Sequence, residues 1–280
     1  MQLDHNRIAI RERSYIEVLD LALRVMRKCG WPLAAALAVG VVPTACFNAW
    51  LLSGYIADYP PLELPFPPFE FDIPLTYLWY MFWLVIFEAA LATAPATLFL
   101  GESLFMEKPQ LKQIARRLLG SLPQLIVYQL ILRAILVVMV FTWFVLYAAW
   151  PYLNEVILLE RNPMRRNRQG RMSTYRRTVT FHAGYTADLF GRWLGSLLIG
   201  ILLFVCFWGA MMISRHLFFS EEYLEKTSYT IFYPLALWLV VSYFTVVRFL
   251  GYLDLRIRRE GWEVELMMRA EQTRLERQLT

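Results

Sequence analysis

The chain has 280 residues, 58% of them hydrophobic and 16% aromatic, and a net charge of +5. Soluble domains run closer to ~45–50% apolar, so this composition excludes an ordinary soluble enzyme and points to a membrane protein. The excess of Lys and Arg lies in short stretches between apolar runs, where it reads as inner-leaflet charge and not as a nucleic-acid surface.

Residues 1–30 read as a cytoplasmic amphipathic arm. Ile16, Leu19, Leu23 and Met26 recur on one helical face, with Arg13, Glu17, Arg24, Arg27 and Lys28 elsewhere, which predicts a helix lying in the headgroup plane. No cleavable leader is legible, because the first apolar core starts after Gly30. A transmembrane bundle is predicted over 31–253, with spans at about 32–55, 75–100, 123–140, 145–159, 193–213 and 231–252. In the first span Ala34, Ala36, Ala38 and Gly40 are spaced to let a second helix come close.

The stretch Asp58–Pro74 holds six prolines, four acids and no base. Proline at that density forbids regular structure, and the lack of Lys and Arg suits the outer side. It reads as a stiff outer loop or as a docking surface. The second span carries Glu88 near its middle and Pro95, which predicts a kink. Gly101–Ser121 is basic and amphipathic, a second interfacial helix.

Leu122–Glu160 is about twice the length of one crossing and is therefore read as a hairpin turning near Thr142–Phe144. Arg133 then lies at a depth similar to that of Glu88, and the two are expected to pair inside the bundle, as a structural ion pair or as a substrate or proton site. Glu155 and Glu160 read as locally neutralised by Arg161 and Arg165.

The basic loop 161–192 opens with Arg161, Arg165, Arg166, Arg168, Arg171, Arg176 and Arg177, and no acid lies between the first and last of them. Such clusters stay in the cytoplasm and attract anionic lipids, so this loop fixes the orientation of the rest. His182 in that loop is expected to be solvated. Gly191, Gly195 and Gly200 suggest close helix contact near span five, and Arg248 in span six is expected to snorkel to the inner surface. Residues 254–280 form a charged cytoplasmic helix, with Trp262 and Leu266 sharing a face that could dock a partner. Cys29, Cys46 and Cys206 read as small buried hydrophobes. No nucleophile, phosphate-binding or metal-ligating motif is legible, so no catalytic residue, metal or cofactor is assigned.

Three motifs resemble one family. RERSYIEVLDLALRVMRKCGWPL within Ile8–Leu33, PYLNEVILLERNP followed by Ser173 and Gly184, and YLDLRIRREGWEVELMMRA in the tail are similar to bacterial proteins grouped with the glycerophosphoryl diester phosphodiesterase membrane domain. Glu12 stands where the family pattern has proline. The resemblance implies a six-helix protein of the bacterial cytoplasmic membrane that belongs to an assembly. It implies no phosphodiesterase activity, because the catalytic domain has no counterpart here.

The expected fold is thus an all-α integral membrane bundle of about six spans with interfacial helices and both termini cytoplasmic. Two functions stand side by side. One is a non-enzymatic scaffold or subunit of a membrane complex, with protein partners and inner-leaflet lipids. The other is a small transporter or lipid-handling protein built on an intramembrane Glu88–Arg133 site. A cavity between the spans would favour the second.

Overall fold

A capping box opens the first helix. The Glu17 amide donates to Ser14 Oγ (3.3 Å) and the Ser14 amide donates back to Glu17 Oε2 (3.2 Å), which satisfies two otherwise orphaned donors. The computed structural model describes residues 13–57, 75–103, 110–132, 135, 150–164, 172–218 and 228–260. Among these the protein is all-helical, with no strand.

In chain order the helices are α1 (Tyr15–Lys28), α2 (Gly30–Leu51), α3 (Gly54–Ala57), α4 (Leu75–Ala92), α5 (Ala94–Ser103) and α6 (Leu111–Leu125). The last widens into a π turn, Ile126–Ile131. Then come α7 (Leu153–Glu155, continued as the π turn Val156–Glu160), α8 (Thr174–His182), α9 (Thr186–Phe218) and α10 (Tyr233–Glu260, preceded by the π turn Ser228–Phe232).

Among the described residues four stretches are long and apolar enough to cross a membrane: Gly30–Leu51, Leu75–Ser103, Thr186–Ser214 and Ser228–Arg259. The first carries exposed Trp31 and Trp50 near its two ends. At 1.5 Å rise per residue they stand about 28 Å apart, close to the thickness of a hydrocarbon core, and indoles favour its two interfaces.

The second is interrupted at Thr93, two residues before Pro95. Proline at 95 has no N–H for the Leu91 carbonyl, and its ring crowds that group, which is why the helix breaks there. The third and fourth run past the apolar windows read from sequence. Their extra turns carry Asp188, Arg192, Asp254 and Arg258, which pair with one another.

α10 is the hub and packs against α1, α2, α4, α5 and α9. α1 lies on it with Val18, Ala22 and Val25 buried, while Ile16 and Leu23 stay exposed. The apolar arc of α1 is wider than the face read from sequence. Protein covers one half and leaves the other, so the arm is a packed element as well as an amphipathic one. Between α2 and α4 the backbones come very close, since a Cβ on Gly40 would fall 1.9 Å from the Ala92 carbonyl oxygen. The small-residue stripe on the first span therefore serves an intramolecular contact. Gly200 serves another, beneath the Phe244 ring, and Gly195 lies beneath Tyr15, whereas Gly191 faces open space.

α6 joins the predicted interfacial helix and the start of the predicted third span into one helix through Pro123. Residues 133–134 and 136–149, with Arg133 and the predicted turn at 142–144, lie outside the described residues, as do 58–74 and 261–280 with Trp262 and Leu266. Tyr152–Leu158, in the predicted fourth span, are enclosed by protein. Cys46 and Cys206 are exposed on the outer faces of their helices and not buried as expected. A small apolar side chain gains as much from lipid as from protein contact.

Candidate functional site

Charge gathers at one end of the bundle. Asp254, 2% exposed, accepts from Arg192 Nη2 (3.0 Å) and from the Arg13 amide (2.8 Å), and pairs with Arg258 Nε (3.1 Å). Arg192 Nε also donates to Asp188 Oδ2 (3.0 Å). Arg258 Nη2 donates to the Arg13 carbonyl (2.5 Å), so this network ties the start of α1 to the start of α9 and the last turns of α10.

Beside it, Arg248 Nε donates to Glu155 Oε1 at 2.8 Å, with the glutamate fully buried. Arg248 was expected to snorkel and Glu155 to be neutralised by the next arginines in sequence. Instead they find each other across 93 positions of chain, because a buried carboxylate needs a buried partner and α10 brings one to its depth. Glu160 accepts from Arg177 Nε (2.5 Å) and Nη2 (2.9 Å), and from the Tyr252 hydroxyl (2.9 Å).

His182 belongs to the same end and is 3% exposed, not solvated. The Tyr152 amide donates to Nε2 (3.4 Å), so Nδ1 carries the proton and donates to the Thr178 carbonyl (2.8 Å). Burial pushes its pKa down to about 4. The Tyr152 ring stacks on the imidazole at 5.9 Å between centroids. The same ring fills the space above Gly251, where a Cβ would sit 2.5 Å from the Tyr152 hydroxyl oxygen.

Between α1, α4, α9 and α10 lies a cavity of about 250 Å³. Its lining includes polar side chains, Arg192, Arg248, Tyr15 and Ser196, and apolar ones, Ile86, Ala89, Val241 and Phe244. Ser196 Oγ donates to the Arg192 carbonyl (2.8 Å), so the Tyr15 hydroxyl must be the donor in its 2.6 Å bond to Ser196 Oγ. Arg248 Nη2 is buried and completes no hydrogen bond among the described residues. Arg192 and Arg248 thus bring guanidinium groups to the lining of a cavity that also carries apolar side chains. That donor set suits an anionic or ester oxygen on an apolar body.

Glu88 lies elsewhere, on the α4 face that also carries Met81, Val85 and Ala92. Its carboxyl is within interaction range of the Asn48 side chain on α2. Both Asn48 amide atoms and Glu88 Oε2 are nevertheless buried without a completed hydrogen bond among the described residues. Of the seven arginines singled out in the basic loop, Arg161 ends α7 in a left-handed conformation (φ 52°), Arg176 is exposed on α8 and Arg177 holds Glu160. Arg165, Arg166, Arg168 and Arg171 lie outside the described residues.

Sequence reasoning therefore missed Arg192, Arg248, Glu155 and Asp254 as a group. The available signal was a charged residue inside each of two apolar runs, Glu155 and Arg248, of opposite sign. No group of His, Cys, Asp and Glu able to hold a metal occurs among the described residues. Comparison with family models, curated proteins and solved structures finds no match for this chain.

Proposed function

We propose that this is a non-enzymatic, lipid-handling protein of a bacterial cytoplasmic membrane, which holds one anionic-headed lipid in the cavity between α1, α4, α9 and α10. The observation that carries this reading is that two guanidinium side chains, Arg192 and Arg248, and apolar side chains line one cavity inside a bundle of membrane-spanning length. The volume lies near the low end of ligand pockets, ~300–1,000 Å³. It suits a headgroup with the first part of one chain, the rest of the lipid leaving into the bilayer.

In this reading the chain crosses six times, the stretches 123–140 and 145–159 supply two of the crossings, and both termini are cytoplasmic. Two features support that orientation. The contacts that join Arg13, Arg192, Asp254 and Arg258 hold the start of α1, the start of α9 and the last turns of α10 together, and the basic loop favours the cytoplasmic side. The resemblance to the phosphodiesterase membrane-domain group rests on its short motifs and adds no catalytic residue.

A second reading, a scaffold within a membrane complex, is favoured by α9. None of its apolar window is buried inside the protein, and Leu198, Ile201, Leu202 and Val205 are exposed along it. Purification at native level in mild detergent, followed by native mass spectrometry, separates the two. A one-to-one lipid adduct that survives detergent exchange is the expected result. A stoichiometric protein partner with no lipid adduct would sink the lipid reading and establish the scaffold.

A further inference from the structure

A second opening lies apart from the cavity, between α6 and the turn that follows α7. It encloses about 590 Å³. Three arginines line it: Arg116 and Arg117 from α6, and Arg161 from the turn. Gln113, Gln124 and Asn162 add amide groups.

The walls are fixed before any ligand arrives. Arg117 Nη1 is held by Glu102 (2.8 Å) and its Nη2 donates to Gln113 Oε1 (2.9 Å). Gln124 Nε2 and Thr174 Oγ1 both donate to the Asn162 carbonyl (2.9 Å each), which pins the turn to α6 and α8. Arg161 takes a left-handed backbone, unusual for a residue with a Cβ and costly by about 1 kcal/mol or more. Its guanidinium is partly desolvated and feels the like charge of Arg117, against one shared carboxylate, Glu102, and these pressures push its pKa down.

The charge balance decides the ligand's sign. Three guanidiniums and no acid line the cleft, and only Arg117 is paired with a carboxylate, Glu102, which is not among the lining residues, so the cleft holds two positive charges in excess. Planar guanidiniums match phosphate oxygens two at a time, and side-chain amides can satisfy the remaining oxygens. A purely solvated basic surface would not need a turn locked by two side chains, Gln124 and Thr174, or an arginine held in left-handed backbone.

We infer that the cleft between α6 and the Arg161–Pro163 turn is a binding site for a phosphate or phosphate-ester dianion, gripped by Arg116, Arg117 and Arg161. Two sources share that chemistry, a phosphomonoester lipid headgroup at the inner leaflet and a soluble phosphate compound. The site is separate from the lipid cavity, and its existence does not depend on the cavity being filled.

The test uses the full chain and two probes. Pyrophosphate is titrated against detergent-purified protein, with thermal stability as the readout and sodium chloride at matched ionic strength as the control. In parallel, the protein is reconstituted in nanodiscs of phosphatidylcholine with or without phosphatidic acid. Arg116→Gln and Arg161→Gln are the variants; Arg116 is exposed on α6, so its replacement leaves the fold in place. A stabilisation saturating with pyrophosphate, and weakened about tenfold in each variant, supports a soluble phosphate ligand. A stabilisation by phosphatidic acid alone, lost in the same variants, supports a headgroup. A response equal in wild type and both variants, or no response to either probe, overturns the proposal.

Discussion

The two ends of the polar inventory are built on opposite rules. At the charged end each buried acid has a basic partner: Glu155 has Arg248, Glu160 has Arg177, and Asp254 has Arg192 and Arg258. Away from that end Asn48, Tyr77, Trp208 and Trp238 carry buried polar atoms with no completed hydrogen bond among the described residues, and α2 and α4 are held by close approach at Gly40. Charge specifies one region and shape the other. A buried ion pair adds little net stability over an apolar replacement, but removing one partner leaves the other charge stranded. The charged end should therefore be fragile to single changes, and the rest of the bundle tolerant of polar-to-apolar ones.

The largest expected effect comes from stranding a charge. Glu155→Ala should destabilise by about 3–5 kcal/mol by leaving Arg248 unpaired. The double variant Glu155→Ala with Arg248→Leu should recover much of that loss. Thermal unfolding in detergent measures both, and a double variant no better than the single one would break the contrast between the two regions.

Acid should strike the charged end next. His182 is neutral in the fold with a pKa of about 4, against an ordinary value of 6.5. Between those values the unfolded chain binds the proton and the folded chain does not. Stability is thus fully present above pH 6.5, falls as pH drops toward 4, and levels off below. The loss attributable to this group is roughly 3 kcal/mol. His182→Asn should flatten that part of the pH–stability curve, and an unchanged slope would remove the histidine from the account.

Gly40→Ala probes the rest of the bundle by shape. Its new methyl meets the Ala92 carbonyl, and helix separation should cost about 1–3 kcal/mol. The smallest effect should come from Asn48→Leu, within about 0.5 kcal/mol of wild type, because it removes a side chain whose hydrogen bonds are not made. A large loss there would mean that Asn48 and Glu88 act together, as the ion pairs of the charged end do.

These regions also differ in how far they could be read from sequence. The four long apolar runs were legible from hydropathy alone, because lipid demands continuous apolar length whatever the fold does. The approach at Gly40 was legible as a small-residue stripe, and the interruption at Thr93 as Pro95. The ion pairs were not. Glu155 has Glu160, Arg161 and Arg165 close by in sequence, and nothing local says that its partner is Arg248 in the last span. His182 looked like a loop residue, since only the packing of α8 under Tyr152 and Tyr252 buries it. Glu88 was recognised as an intramembrane acid, but the neighbour that the fold gives it is Asn48, a residue that hydropathy averages away. Charges at helix ends are paired by tertiary geometry, and periodicity within one helix carries no record of it.

The cavity beside Arg248 is the claim on which the functional reading rests. The measurement that reaches it most directly is site-specific photo-crosslinking in native membranes, with a benzophenone side chain replacing Ile86 in the cavity wall. The account predicts a protein–lipid adduct of one lipid mass, reduced when Ala89→Trp fills the cavity. A crosslink to another protein, or adducts spread over lipids in proportion to the bilayer and unchanged by Ala89→Trp, would contradict it.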